Sequence, residues 1–217
     1  MLTCTNASDP PLGAADCERI RDGPIAQPAN ALSAAWLCVA GMAIARRTRP
    51  HPHAGLVGTV VAGAGVGSVA YHGPGGRLAG WAHDATITAM LGVICLEDIS
   101  EVRPDLARAA TAVWTAAVVG AGALLAVRPQ TIRTVTAMFA GSALVAELSA
   151  RRLARSDHRR AHRTAEALMT AALGAYVVGR TEARTCRPDS WIQPHGLWHT
   201  LTGAAMVAWA DASLREG

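Results

Sequence analysis

The stretch "AGLVGTVVAGAGVGSVAYH", residues 54–72, holds no charged side chain before the histidine that closes it. Crossing roughly 30 Å of hydrocarbon as a helix takes about 17–20 apolar residues, so this run is long enough to span. Its apolar side chains are mostly alanine, valine and glycine. Small residues of this kind mark faces where membrane helices approach closely, since no hydrophobic force draws helices together inside lipid. Working outward, comparable apolar runs occur at 29–45, 80–96, 108–127, 131–149, 164–179 and 194–212, with this one taken as 54–71. The runs at 80–96 and 164–179 are short and interrupted. The fold class that follows is an all-α membrane protein, a seven-transmembrane helix bundle. Residues 1–28 form an N-terminal extramembrane segment, 29–212 the helical domain and 213–217 a C-terminal tail.

Composition agrees with that reading. Hydrophobic residues make up 51% of the chain, yet it has one Phe and two Tyr, too few for a soluble core built on aromatic packing. Every basic residue is arginine, and the net charge is +4. A basic balance can signal nucleic acid, but these arginines sit in short loops between apolar runs, a topology signal instead, so no nucleic-acid partner is expected. The first 25 residues lack an apolar stretch, and no cleavable signal peptide is expected. With the N-terminus outside, the inner loops and tail carry 12 arginines against 8 outside, and the loop "RRLARSDHRRAHR" at 151–163 is the densest. Arginine excess marks the inner face, so the expected orientation is N-terminus outside and C-terminus inside. Trp36, Trp81, Trp114, Trp191, Trp198 and Trp209 fall mostly near segment ends, as interfacial anchors do.

Ionisable residues inside a membrane segment are costly and mark function. In this orientation the second segment ends outward with Ser68 and His72, and the third begins "GWAHDATI" with His83 and Asp84. The seventh begins "PHGLWH" with His195 and His199. All reach the same outer depth. Histidines four apart share one helical face, and a third from another helix completes the three-ligand set of catalytic zinc. Zinc acidifies water and polarises carbonyls. Asp84 suits a general base and Ser68 a donor to a developing oxyanion. Each signal alone has a plainer reading: interfacial histidines, a small packing serine. The common depth is what favours a site.

Three stretches, "CERIRDGPIAQPANALS" (17–33), "SVAYHGPGGRLAGWAHD" (68–84) and "HGLWH" (195–199), together resemble the alkaline ceramidase family. The resemblance is to its bacterial membrane members, within a superfamily of seven-helix hydrolases that includes adiponectin-type receptors. It covers nearly the whole chain in order. It implies zinc held by His72, His195 and His199, with Asp84 activating water and Ser68 assisting the oxyanion. The implied reaction is hydrolysis of the amide of a ceramide-like lipid to a sphingoid base and a fatty acid. The implied place is a bacterial inner membrane with the site toward the periplasm. It also implies a disulfide between Cys17 and Cys186, both outside in this topology, where an oxidising periplasm permits one. A calcium site drawn from Asp16, Glu18 and position 27 is implied too. Here position 27 is Gln27, where the family usually has a glutamate, and a neutral amide is a weak ligand for a hard cation. The interval from His72 to Asp84 is one residue longer than in the family, which leaves open whether His83 or Asp84 faces the metal.

Other candidates carry less. Cys38 and Cys95 read as small buried hydrophobes, and Cys4 is left over in the tail. His51 and His53 fall on the inner side. His158 and His162, also four apart, sit among arginines and are expected to be solvated. Glu147, Glu166 and Asp211 fall at inner helix ends, snorkelling or paired. Two further functions compete with the amidase: a receptor-like, non-catalytic lipid-binding protein with structural zinc, and a haem protein. No facing pair of segments supplies the haem ligands. Oligomeric state is not legible.

Overall fold

The computed structural model describes residues 12–47, 51–153 and 156–214. The expectations for Cys4, Arg49 and Arg215, and for the side chains of 151 and 153–161, His158 among them, lie outside the described residues. Among the described residues seven α-helices form and no strand does. They are α1 (Pro28–Arg47), α2 (Ala54–His72), α3 (Arg77–Val102), α4 (Ala107–Val127), α5 (Ile132–Leu153), α6 (Ser156–Val178) and α7 (Pro194–Ser213). Single 3₁₀ turns at Pro104–Leu106 and Pro129–Thr131 lead into α4 and α5. Pro28 and Pro194 open α1 and α7, a position where the missing N–H has no partner to lose.

Among the described residues, three stretches are long and apolar enough to cross a membrane: Pro28–Arg47, Ala54–His72 and Pro104–Val127. The segments that read as short, the third and sixth, are longer helices than their apolar runs, at 26 and 23 residues. Polar residues extend them: α3 carries Glu97 and Asp98 near its end, and α6 begins with charged turns.

α6 packs on α7, α7 on α1, α1 on α2, α2 on α3, and α3 on both α4 and α5. Glycines set the tightest crossings. A Cβ on Gly58 would lie 2.6 Å from the Gly41 carbonyl oxygen, and one on Gly41 would overlap the Gly58 oxygen, so α1 and α2 meet backbone to backbone. Packing of this intimacy is what small residues supply in membrane bundles. Val57, Val61, Met90, Val93, Leu96, Met206 and Trp209 fill the centre. Leu32, Val66, Val113, Val119 and Val145 point outward and are exposed, leaving apolar faces suited to lipid.

At one end of the bundle the N-terminal segment is stitched across the helix ends. Cys17 and Cys186 form a disulfide with Cα atoms 5.3 Å apart. The Cys17 N–H donates to Gly179 O, Arg19 N–H to Pro188 O and Thr181 N–H to Ala15 O. The Arg19 guanidinium holds Asp189 through two hydrogen bonds, of 2.6 and 2.8 Å, and Asp189 is held below the usual carboxylate range by that pair.

The expectation for His162 is corrected. It is fully buried, and its Nδ1 lies 2.7 Å from Glu147 Oε1. The reason is that α6 starts at Ser156, so this residue belongs to a packed helix and not to a loop. Glu147 also accepts from Trp209 Nε1 at 3.1 Å, which pairs it as expected.

Candidate metal centre

His72 is the last residue of α2, and His195 and His199 occupy the first two turns of α7. The end of α2 is held by Gln27 N–H donating to His72 O and Ala26 N–H donating to Gly73 O. The turn at 73–76 then reverses the chain into α3 through Gly75 and Gly76, at φ of 65° and 88°. That left-handed backbone favours glycine. On the other side, Gly179 lets the end of α6 close on α7, because a Cβ there would sit 2.8 Å from the His195 nitrogen.

These constraints bring the three histidines into one cluster. One ring nitrogen from each lies within 4.8 Å of the others. All three are buried, with exposures of 1%, 6% and 2% for His72, His195 and His199. Two of them, His72 and His199, also meet a hydrogen-bond partner at Nδ1. The Gln27 amide is oriented by donating from Nε2 to Gly13 O (3.0 Å) and Glu18 O (2.8 Å). Its Oε1 therefore accepts from His72 Nδ1–H at 2.7 Å. Ser33 Oγ donates to Asn30 O and so accepts from His199 Nδ1–H at 3.0 Å. His195 Nδ1 lies 3.3 Å from Asp16 Oδ1, without hydrogen-bond geometry. Partners of this kind fix tautomer and ring orientation in metal-ligating histidines. His72 Nε2 is left buried with no hydrogen-bond partner. An orphan of that type is rare unless a ligand serves it. The donor set fits a divalent metal ion, and three neutral imidazoles suit zinc among others.

Ser68 lies one turn before His72 on α2, and its buried hydroxyl has no hydrogen-bond partner. Asp84 falls in the second turn of α3 but outside the three-histidine group. Its Oδ1 is 2.9 Å from His83 Nδ1. His83 stacks on Tyr71 at 4.4 Å, and Tyr71 packs edge-on against His72 at 5.0 Å. His83 is close enough to all three histidines to interact with them electrostatically. His83 and Asp84 are thus joined to each other and lie outside the three-histidine group.

The calcium donor set does not fit. Gln27 turns its NH₂, not its oxygen, toward the two loop carbonyls where a cation would want a ligand. Both Glu18 oxygens are used at the start of α1, accepting from Ala29 N–H (2.8 Å) and Asn30 N–H (2.7 Å). That is a charged cap on orphan donors at a helix N-terminus. Asp16 faces Arg180 (3.4 Å) and His195. Burial pushes the Asp16 carboxyl up to about 6, against the opposing pull of Arg180 and His83.

Sequence reasoning missed several members of the site. Ser33 and Asn30 were legible only as part of the lead-in motif. Asn30 is fully buried with neither amide atom partnered. Tyr71, whose hydroxyl accepts from Gly13 N–H at 3.1 Å, gave no signal beyond its place beside His72. Trp198 packs on Tyr176 at 5.4 Å, half-buried.

Fold and cluster together define an all-helical bundle with membrane-crossing helices and a buried three-histidine group at one end. Comparison of the chain with protein-family models, curated proteins and solved structures finds no match.

Proposed function

We propose that the protein is a zinc-dependent intramembrane amidase of the alkaline ceramidase type, acting on ceramide-like lipids. The observation that carries this reading is the buried cluster of His72, His195 and His199, two of them oriented at Nδ1 by a hydrogen-bonded neighbour and all three together offering a convergent nitrogen set. Zinc held there would supply Lewis acidity toward the scissile carbonyl and toward water. Asp84 would take and hold the proton of the attacking water, and its hydrogen bond with His83 would fix the position of the carboxyl group. The partnerless Ser68 hydroxyl would donate to the oxyanion as it develops. The leaving amine would then collect its proton from the same carboxyl group. A two-tailed lipid would enter from the bilayer, and the half-exposed Asp84 side supports access of water.

In this proposal all seven helices span the membrane, the N-terminus and the site face the periplasm, and the C-terminus faces the cytoplasm of a bacterial cell. The stitched, disulfide-closed end of the bundle supports that assignment, because disulfides persist in oxidising compartments. Reporter fusions at the C-terminus and in the 128–131 turn test it, and the proposed orientation requires opposite sides for the two.

The deciding experiment pairs metal analysis with mass spectrometry of N-acyl lipids incubated with wild type, Asp84→Asn and His199→Ala. Zinc in wild type and Asp84→Asn, with fatty acid released only by wild type, is the expected result. Zinc without release of fatty acid from any N-acyl lipid would move the reading to a receptor-like lipid-binding protein with structural metal.

A further inference from the structure

A second group of ligand-bearing side chains lies at the other end of α2. His51 and His53 precede the helix and Glu97 comes from the later turns of α3, and one donor atom from each lies within 4.8 Å of the other two. The 19 residues of α2 separate this group from His72, a rise of about 28 Å. It therefore sits at the opposite face of the bundle from the three-histidine centre and shares no residue with it.

The local chain builds this arrangement. Pro52 restricts the turn between the two histidines, and the His53 N–H donates to His51 Nδ1 at 3.2 Å. The two rings are held edge to face, 5.6 Å apart. Glu97 is only 3% exposed. Its two oxygens lie 2.8 and 3.0 Å from one nitrogen, His53 Nδ1, which carries a single proton for both. Oε1 is left buried without a hydrogen-bond partner. Although Oε1 lies in ion-pair reach of His53, burying a carboxylate oxygen without a hydrogen bond of its own costs more than a typical hydrogen bond returns. A cation served by the carboxylate and both rings resolves the shortfall.

We propose that His51, His53 and Glu97 form a second metal site, taking a divalent first-row transition-metal ion such as zinc. Two imidazoles and one carboxylate suit that class, whereas calcium and magnesium favour all-oxygen sets. The half-buried histidines leave the remaining coordination positions open to water from the inner face. The bound ion ties the turn before α2 to α3, so the first inner loop is cross-linked to the bundle by metal as the outer end is by its disulfide.

The test counts metal on the full-length protein in detergent, stripped with chelator and reloaded with Zn²⁺. Wild type is expected to hold one equivalent more than Glu97→Gln or His53→Gln. His195→Ala is expected to retain that equivalent. The count separates this site from the three-histidine centre, so failure of one reading leaves the other standing. Should Glu97→Gln not fold, His51→Gln and His53→Gln on the half-exposed turn carry the same comparison. Reloading with Co²⁺ gives a second readout, a visible absorption component lost in these variants and kept in His195→Ala. Unchanged zinc stoichiometry and an unchanged cobalt spectrum in the His51 and His53 variants would overturn the proposal.

Discussion

Gln27 shows how much one atom exchange can decide. Its amide donates twice to loop carbonyls and accepts once from His72, a role that a carboxylate cannot fill because it has no proton to offer Gly13 O or Glu18 O. Gln27→Glu is expected to lower stability by about 1–3 kcal/mol, the cost of leaving buried polar groups unpaired. In that variant alone, added Ca²⁺ should raise the thermal midpoint, because a cation can then sit between the carboxylate and the two carbonyls. Gln27→Ala frees His72 to rotate and is expected to weaken binding of the metal ion proposed here about 10–100-fold in a chelator-competition titration. Acid should release the metal by a separate route. Each ligand must be a neutral imidazole, so the metal ion proposed here is held at neutral pH and released once acid protonates the rings, at a pH below the ordinary histidine range because metal and proton compete for the same nitrogens. Metal content of the folded protein followed through an acid titration checks this, and retention in strong acid without unfolding would contradict histidine ligation.

At the scale of elements, the start of α1 is where loop and helix are joined. Glu18 is eleven residues from Ala29 in sequence, yet its carboxylate takes the first two exposed amide protons of the helix. Glu18→Ala is expected to cost about 1–2 kcal/mol, in line with loss of a charged cap in a partly buried setting. The midpoint of thermal unfolding in detergent measures it, and an unchanged midpoint would show that the cap contributes nothing. The same residue also holds Gln27 through its backbone carbonyl, which the alanine variant keeps, so His72 should be disturbed only as far as the uncapped loop shifts.

For the whole molecule, the disulfide joins points 169 residues apart and holds the N-terminal segment against the α6–α7 loop. Cys17→Ser is expected to cost about 2–4 kcal/mol, within the range for native disulfides that close long loops. Reductant should lower the melting temperature of wild type and leave the variant unmoved. Asp16 follows Cys17's neighbourhood toward His195, so the loss should reach the metal centre as well.

Hydropathy alone carried the helical class, the approximate place of each helix and the pairing of His195 with His199. These are local properties, set by composition over one run and by the 3.6-residue repeat. His72 joined them by a topological argument, since adjacent segments must return to the same face. Where polarity and helix coincide, local reading failed. α6 begins in what looks like a charged loop, and His162 is buried because Glu147 from α5 meets it. The partners that orient His72 and His199 were likewise invisible, since Gln27 and Ser33 lie 45 and 166 positions from the rings they face. Only the tertiary structure could turn the Gln27 amide so that its NH₂ meets two carbonyls and its oxygen meets His72. Hydrogen-bond direction depends on every partner in reach, here the acceptors Gly13 O and Glu18 O and the donor His72 Nδ1–H.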